Sequence, residues 1–501
     1  MNKVTLLGAG PGELDLLTIK GVDALKDADC IIYDRLLNPD MLKLAPDTCE
    51  CIYVGKQNHK HTMPQDDINK LLVEKANQYN HVVRLKGGDP YVFGRGGEEA
   101  LYLKSYGIEV EVIPGISSSI AALAMAGIPI THRGLSKGFQ VITAHSKKDS
   151  LADIDYSSLL DEDVTLVFLM GLAHVGEIAT GLIRAGRASN TPAAVVSNGT
   201  TNHQKKVLGT LENIESEVIN SDIDSPAIIV VGKVVSLANE LDFFENRPLF
   251  GKRYLLPKIK HFTYSFTNGS SYSESNQLEE QLINNGAEVI SIITGTIMPE
   301  EVELSFLDNN NGSSLIVFTS ANGVSSFFYN LDRQGMDMRN LLHYKFAVIG
   351  QKTKNALLEY GIKADIISKK QNGDDLAMEI NNSTLNIKDI YWFTTLDHSD
   401  SLSNTLKDNY NLHIYNCYSN IKDKITIDES LHNEIDACDG IIFTSGSNAK
   451  AIIPLISDIM PRKIYSIGPT CSKCINGLGY DELIEADVSS YEGLMERILC
   501  K

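Results

Sequence analysis

The chain has 501 residues, 43% hydrophobic and 22% charged, which excludes a disordered or collagen-like polymer and predicts about three globular units. A formal net charge of −19 argues against nucleic acid as a general partner, although a cleft on an acidic protein can still be locally basic. No run approaches the roughly 18 apolar residues of a membrane span, and a strand follows Met1 almost at once, so a cytoplasmic protein without signal peptide or membrane contact is expected.

In chain order, strand-like runs alternate with helical-period segments, the pattern of an α/β protein with mostly parallel sheets. Strands are predicted at 4–7, 31–33, 82–85 and 110–113, with helices at 19–28 and 116–126. A second α/β section starts near Gln140, with strands at 165–169, 193–196 and 227–231. The run Glu245-Asn-Arg-Pro-Leu-Phe-Gly251 reads as a linker, and beyond it Asn- and Ser-rich loops appear at 268–275 and 308–314. There a weak repeat stands out: Phe318-Thr-Ser-Ala-Asn322 is echoed by Phe443-Thr-Ser-Gly-Ser447, and Ile349-Gly-Gln-Lys-Thr353 by Ile467-Gly-Pro-Thr470. Such strand–turn–helix starts suit anions through free N–H groups, or are simply helix caps.

The first strand ends in Gly8-Ala-Gly10-Pro-Gly12, and Asp34 closes the next strand, about where a ribose-binding acid would sit. A dinucleotide fingerprint needs glycine where Glu13 stands, and Pro11 removes a loop N–H, so NAD is disfavoured. In the run from Val82 to Glu99, Arg84 and Lys86 lead into Gly87-Gly88-Asp89-Pro90 and then Phe93-Gly-Arg95-Gly-Gly97. Five glycines in eleven residues are costly in entropy, which points beyond a plain turn. Arg84 and Glu99, taken singly, read as surface ion pairs. Of eight cysteines only Cys471 and Cys474 form a CxxC, with no further ligands to complete a zinc site; these thiols, with Cys49 and Cys51, read as buried or incidental, and no metal is expected.

Residues 1–246 closely resemble the tetrapyrrole methylase family, specifically its uroporphyrinogen-III C-methyltransferase branch. The matching runs are GAGPGELDLLTIKG, ADCIIYDRL, VGKQNHKH, VVRLKGGDPYVFGRGGEE, VIPGISSSIAALAMAGIPITHRG, TLVFLMGL, VSNGT and PAIIVVGKVV. The resemblance implies two α/β lobes, about 1–113 and 114–246, binding S-adenosylmethionine between them in a homodimer. By position it implies that Pro11, Gly87, Gly88, Asp89, Val92, Ser117, Ser118, Met170 and Gly199 line the cofactor pocket. Asp34 matches the family's proposed proton acceptor and Lys56 its proposed donor. A substrate with eight carboxylates needs local cations, and Arg35, Lys56, Arg95, His132 and Arg133 are the candidates. Thr143-Ala144-His145 departs from the family's usual glycine, and Met125 and Leu169 replace frequent tyrosines.

After a linker at 247–252, residues 253–501 resemble the uroporphyrinogen-III synthase family through FTSANGV, IGQKT, FTSGSNA and IGPT in the expected order. That resemblance implies two α/β lobes joined by two extended linkers, lobe one from about 253–290 plus 415–501 and lobe two from 291–414. Thr319, Ser320, Ser445 and Thr470 are candidate substrate contacts, and Tyr415 or Tyr418 a candidate aid to dehydration. The first strand reads LLPKIKHF where the family has a Thr-Arg-Pro turn, and Cys471 follows IGPT in place of a small aliphatic. The expectation is a bifunctional enzyme that closes hydroxymethylbilane to uroporphyrinogen III and methylates it twice to precorrin-2, towards sirohaem and cobalamin. The alternative is an active methyltransferase with a non-catalytic tetrapyrrole-binding module; an NAD-dependent dehydrogenase is the remaining rival.

Overall fold

A computed structural model describes residues 3–35, 37–55, 63–145, 151–309, 313–368, 372–396, 398 and 400–500. The chain folds as two units, Met1–Gly251 and Lys252–Lys501. Among the described residues no helix is long and apolar enough to cross a membrane.

The first sheet of the N-terminal unit contains β1 (Lys3–Gly8), β2 (Cys30–Tyr33), β3 (Glu50–Tyr53), β4 (His81–Lys86) and β5 (Glu109–Ile113), in the order β3-β2-β4-β1-β5 and parallel throughout. Successive apolar residues serve opposite faces. Leu6, Ile32 and Val82 pack under α2 (Gln65–Gln78) and α3 (Gly96–Ser105), while Leu7, Ile31 and Val83 pack under α1 (Ile19–Lys26). Continuous hydrophobic strands are what burial on both faces demands.

The second sheet holds β6 (Gly138–Thr143), β7 (Val164–Leu169), β8 (Pro192–Ser197), β9 (Lys205–Thr210) and β10 (Ala227–Val231), ordered β6-β7-β10-β8-β9. Only β6–β7 is a parallel pair; β7–β10, β10–β8 and β8–β9 are antiparallel, which corrects the expectation of mostly parallel sheets for this section. The connection from β8 to β9 is too short for a helical crossover, so the chain doubles back. α4 (Ser118–Met125) covers one face through Ala122 and Leu123, and α5 (Val175–Ala185) and α6 (Ile214–Ile219) cover the other. Residues 247–250, read as linker, fold back as turns on this unit, with Leu249 buried and Phe250 edge-on to Phe244.

The C-terminal unit is one eleven-stranded sheet. It begins with β11 (Arg253–Ser265), β12 (Gly269–Ser273), α7 (Gln277–Asn284) and β13 (Glu288–Pro299). The second lobe follows: β14 (Ser314–Phe318), α8 (Ala321–Arg333), β15 (Lys345–Ile349), α9 (Gly350–Glu359), β16 (Ile366–Ser368), α10 (Gly373–Asn381), β17 (Asp389–Thr395), α11 (Ser401–Leu406) and β18 (Asn411–Lys422). The chain closes with α12 (Glu429–Asp436), β19 (Gly440–Phe443), α13 (Gly446–Ile452), β20 (Lys463–Ser466), α14 (Pro469–Asn476), β21 (Ile484–Glu485) and α15 (Tyr491–Leu499).

The parallel orders β16-β15-β14-β17-β18 and β21-β20-β19-β11-β13 are the same layout, with the last two strands of the first lobe moved to its N-terminus. This is the physical basis of the repeat seen in the sequence. An antiparallel ladder from Gly295↔Lys422 to Pro299↔Tyr418 stitches the two together. A third crossing accompanies these two linkers. The far half of β11 pairs with β12, and its Phe262 is 1% exposed within the core of the second lobe, edge-on to Tyr329. Tyr264 donates from its hydroxyl to Asp332 at 2.5 Å, and the Tyr360 hydroxyl donates to the Tyr264 carbonyl.

Candidate active sites

In the N-terminal unit, the loops that leave the C-terminal ends of β1, β4 and β5 interlock, at the edge where open parallel sheets hold ligands. The Gly10 N–H donates to the Gly88 carbonyl at 3.1 Å, and the Gly88 N–H returns a bond at 2.7 Å. A Cβ on Gly115 would lie 2.2 Å from the Gly88 carbonyl oxygen, so no larger residue fits there. Asp89 fastens the assembly: Oδ1 accepts the Tyr91 N–H at 2.8 Å and Oδ2 the Gly115 N–H at 3.1 Å. Ser117 caps α4 and its hydroxyl lies 2.9 Å from that of Ser119. Pro11, Gly87, Gly88, Asp89, Ser117 and Ser118 therefore share one rim.

Met170 leaves β7 and Gly199 leaves β8 on the opposing sheet. Met170, Asn198 and Thr200 adopt φ of 58°, 48° and 73°, a cluster of strained non-glycine backbone. Gly199 lies so close to α4 that a Cβ there would be 2.3 Å from the Ala122 Cβ. The two rims touch where the Glu13 N–H donates to Thr200 Oγ1 at 3.3 Å. Met170 is 51% exposed and Val92 36%, which leaves apolar surface on these loops.

Asp34 emerges from β2 with its carboxylate a third exposed, and its partner is Arg84, Nη2 to Oδ2 3.0 Å, rather than the neighbouring Arg35. Arg84 and Glu99 are not surface ion pairs, as the sequence suggested. Arg84, Lys86 and Glu99 are 2%, 5% and 0% exposed, on the sheet face covered by α2 and α3. Lys86 Nζ donates to Glu99 Oε1 at 2.9 Å, and Gln65 Nε2 to the same oxygen at 3.0 Å. Arg84 Nη1 adds bonds to the carbonyls of Ile32 and Leu85 at 3.2 and 3.0 Å. Burial, with Arg84 beside it, pulls the Lys86 ammonium below its ordinary pKa. Two buried cations, one buried anion and Asp34 balance, which is what makes such burial tolerable. Sequence reasoning missed this cluster, although the same-face spacing of residues 84 and 86 was its signal.

The remaining cation candidates among the described residues are all exposed. Arg95 is paired with Glu98 at 2.6 Å, and His132 and Arg133 sit on an exposed turn. Arg35 is exposed beside Asp34, and Lys56 lies outside the described residues. Two of the five glycines serve packing: a Cβ on Gly94 or Gly96 would come within 2.8 or 2.6 Å of the Pro90 carbonyl oxygen.

In the C-terminal unit, Ser320 caps α8, accepting from the Gly323 N–H at 3.1 Å, and Ser445 caps α13, accepting from Asn448 at 3.3 Å. Ser320 Oγ also lies 2.9 Å from the Tyr418 hydroxyl, while Tyr415 stacks on Phe393 at 4.9 Å. Burial pushes the Tyr418 phenol up, so it stays protonated. Thr319 accepts from the Trp392 indole N–H at 3.2 Å. Thr470 is exposed in the first turn of α14, and neither α14 nor α9 has a side-chain cap. The Cys471 and Cys474 thiols donate separately to the carbonyls of Phe443 and Gly446, at 3.7 and 3.2 Å.

Comparison with known proteins matches residues 3–215 to the Tetrapyrrole (Corrin/Porphyrin) Methylases and residues 276–496 to Uroporphyrinogen-III synthase HemD. The fold and these matches define an enzyme of tetrapyrrole biosynthesis with two catalytic families in one chain. The chain belongs to the tetrapyrrole methylases fused to HemD-type uroporphyrinogen-III synthases. It is 36% identical to the porphyrin biosynthesis protein HemD of Ruminiclostridium josui over 476 residues, 93% of this chain and 91% of that one. It is 40% identical to a uroporphyrinogen-III C-methyltransferase of Bacillus subtilis over 359 residues, 72% and 71% of the two chains. Among solved structures, the uroporphyrin-III C-methyltransferase of Thermus thermophilus is 40% identical, covers 47% of this chain and 99% of its own, and has a TM-score of 0.41.

Proposed function

We propose that the C-terminal half closes hydroxymethylbilane to uroporphyrinogen III, and that the N-terminal half methylates this product at C2 and C7 with S-adenosylmethionine, giving precorrin-2. The observation that carries the reading is the Asp34 carboxylate, a third exposed and held by a buried arginine at the edge where the glycine-rich loops converge. S-adenosylmethionine supplies an electrophilic methyl group on a sulfonium. The chain's own part is to hold donor and pyrrole in line and to accept at Asp34 the proton that C-methylation releases. Pro11, Gly87, Gly88, Asp89, Val92, Ser117, Ser118, Met170 and Gly199 line the cofactor side, and Arg35, His132 and Arg133 are the cations left for substrate carboxylates. Lys56 keeps the proton-donor role, and Arg95 reaches substrate only by leaving Glu98.

In the C-terminal half, Tyr418 and Ser320 assist loss of the hydroxyl, and Thr319, Ser445, Thr470 and the uncapped starts of α9 and α14 receive carboxylates. A homodimer through the methyltransferase half is supported by the exposed rings of Tyr91 and Phe93, 58% and 44% accessible. A cytoplasmic location accords with free cysteines and with chemistry on an oxygen-sensitive substrate.

The test is to give the full chain hydroxymethylbilane anaerobically, first without and then with S-adenosylmethionine. A large excess of isomer III, then a dimethylated product, is expected. Isomer I alone favours the second reading, in which the C-terminal half only binds tetrapyrrole. One observation speaks for that reading: where the family has its Thr-Arg-Pro turn, β11 runs on, and its Lys258 is 7% exposed and bound to Glu279 at 2.6 Å.

A further inference from the structure

The segment joining the two catalytic halves is built into the back of the candidate cofactor pocket. Gln204 is 3% exposed, and its amide is a three-way joint. Its Oε1 accepts the Thr200 N–H at 2.9 Å; its Nε2 donates to the Met125 carbonyl at 3.2 Å and to Glu245 Oε1 at 2.8 Å. Thr200 follows Gly199 and holds strained backbone, and Met125 ends the helix that Ser118 begins, so one amide ties the second rim to the far end of the helix that starts at the first. Glu245 is braced in turn. Its N–H donates to Asp242 Oδ1 at 3.1 Å, and Lys206 Nζ lies 2.6 Å from Asp242 and 3.6 Å from Glu245. Further along, the Arg247 guanidinium lies 3.9 Å above the Phe244 ring and beside Glu13, whose own N–H bonds Thr200. The Gly251 N–H donates to Asn202 Oδ1 at 2.6 Å, in the same β8–β9 connection.

We propose that Gln204 and Glu245 are positioning residues for the methyl-donor pocket, making the connection to the C-terminal half a working part of the methyltransferase rather than a tether. The proposal rests on the cofactor reading above. Removing the Glu245 acceptor leaves a buried amide hydrogen unpaired, frees Gln204 to turn, and lets Thr200 relax from its strained backbone. The damage falls on the cofactor wall and not on Asp34, which belongs to the other sheet.

The test is calorimetric binding of S-adenosylhomocysteine to the full chain and to its Glu245→Ala and Glu245→Gln variants, with steady-state kinetics. Glu245→Ala is expected to weaken binding about tenfold and raise the KM for S-adenosylmethionine equally, with kcat within about twofold. Glu245→Gln keeps an accepting oxygen and is expected to bind as the parent does. Binding by Glu245→Ala within about twofold of the parent overturns the proposal, as does equal damage from Glu245→Gln. If the parent itself fails to bind, the cofactor reading falls first. Should Glu245→Ala not fold, hydrogen exchange on the parent decides: ligand is expected to protect 198–206 and 242–251 together, and protection of the first stretch alone refutes the coupling.

Discussion

Arg84 reaches Asp34 from inside the first sheet, Nη2 to Oδ2 3.0 Å, with its guanidinium locked by two backbone carbonyls and only 2% exposed. A carboxylate aimed by a fixed fork has far less rotational freedom than one paired with a surface lysine. Asp34→Asn is expected to keep S-adenosylhomocysteine affinity while lowering turnover by about 100-fold or more. Unchanged turnover assigns the proton to another group. Arg84→Met is expected to cost about 3 kcal/mol in a denaturant melt, because buried Glu99 then keeps Lys86 as its one cationic partner among the described residues.

Gly115→Ala tests the interlocked loops. Its methyl group meets backbone of Gly88 and Gly8 rather than a side chain that can swing away, so the rim must open. Loss of measurable S-adenosylhomocysteine binding is expected, with isomer III formation by the other half retained. Parental affinity in the variant is incompatible with a pocket on this rim.

Tyr418→Phe and Tyr415→Phe separate the two tyrosines. The Tyr418 hydroxyl meets Ser320 at the start of α8, whereas the Tyr415 ring is stacked on Phe393 and tilted against Phe306. Isomer III formation is expected to fall about tenfold or more for Tyr418→Phe and to stay near parental for Tyr415→Phe. The reverse order moves the assignment to Tyr415. Ser320→Ala is expected to cost about 1 kcal/mol as a lost cap.

Acid stability turns partly on Glu111, which Lys20 and Lys3, each at 2.5 Å, hold from an ordinary 4.5 down to about 2. Below the ordinary value the unfolded chain binds a proton that the folded chain refuses. This stabilisation is therefore complete above about 4.5 and fades as pH falls towards about 2. Glu111→Gln is expected to lower stability near neutrality by about 1 kcal/mol and to flatten that acid slope in pH-dependent melts. An unaltered slope places the acid-sensitive groups elsewhere.

The alternation of apolar strands and helices was legible down to individual elements: 227–231 coincides with β10, and 110–113 falls within β5. The family of each half was legible because long glycine- and serine-containing runs tolerate few substitutes. Pairing direction in the second sheet was not, since strand propensity is the same for either partner orientation. The β11–β12 hairpin was within reach: Asn268-Gly269 is a strong turn signal that was read as part of a loop, and Gly269 has φ of 71°. That Phe262 fills the other lobe was beyond reach, because a phenylalanine on a strand carries no mark of which core it enters. The burial of Arg84, Lys86 and Glu99 depends on charges distant in sequence balancing one another, which a reading of each residue alone leaves out.

The displaced strands of the first lobe also set an order of assembly. β11 and β13 leave the ribosome before β19, β20 and β21, which complete their half of the sheet, and the whole second lobe is synthesised in between. The second lobe has local partners for all of its own strands and can fold as it emerges, with β11 already lending it Phe262. Until the last stretch is made, the β19-facing edge of β11 stays unpaired, a template for other nascent chains. Proteolytic loss of the stretch after α12 would recreate that naked edge in the mature enzyme, so a single cut near the C-terminus should aggregate this half rather than merely shorten it.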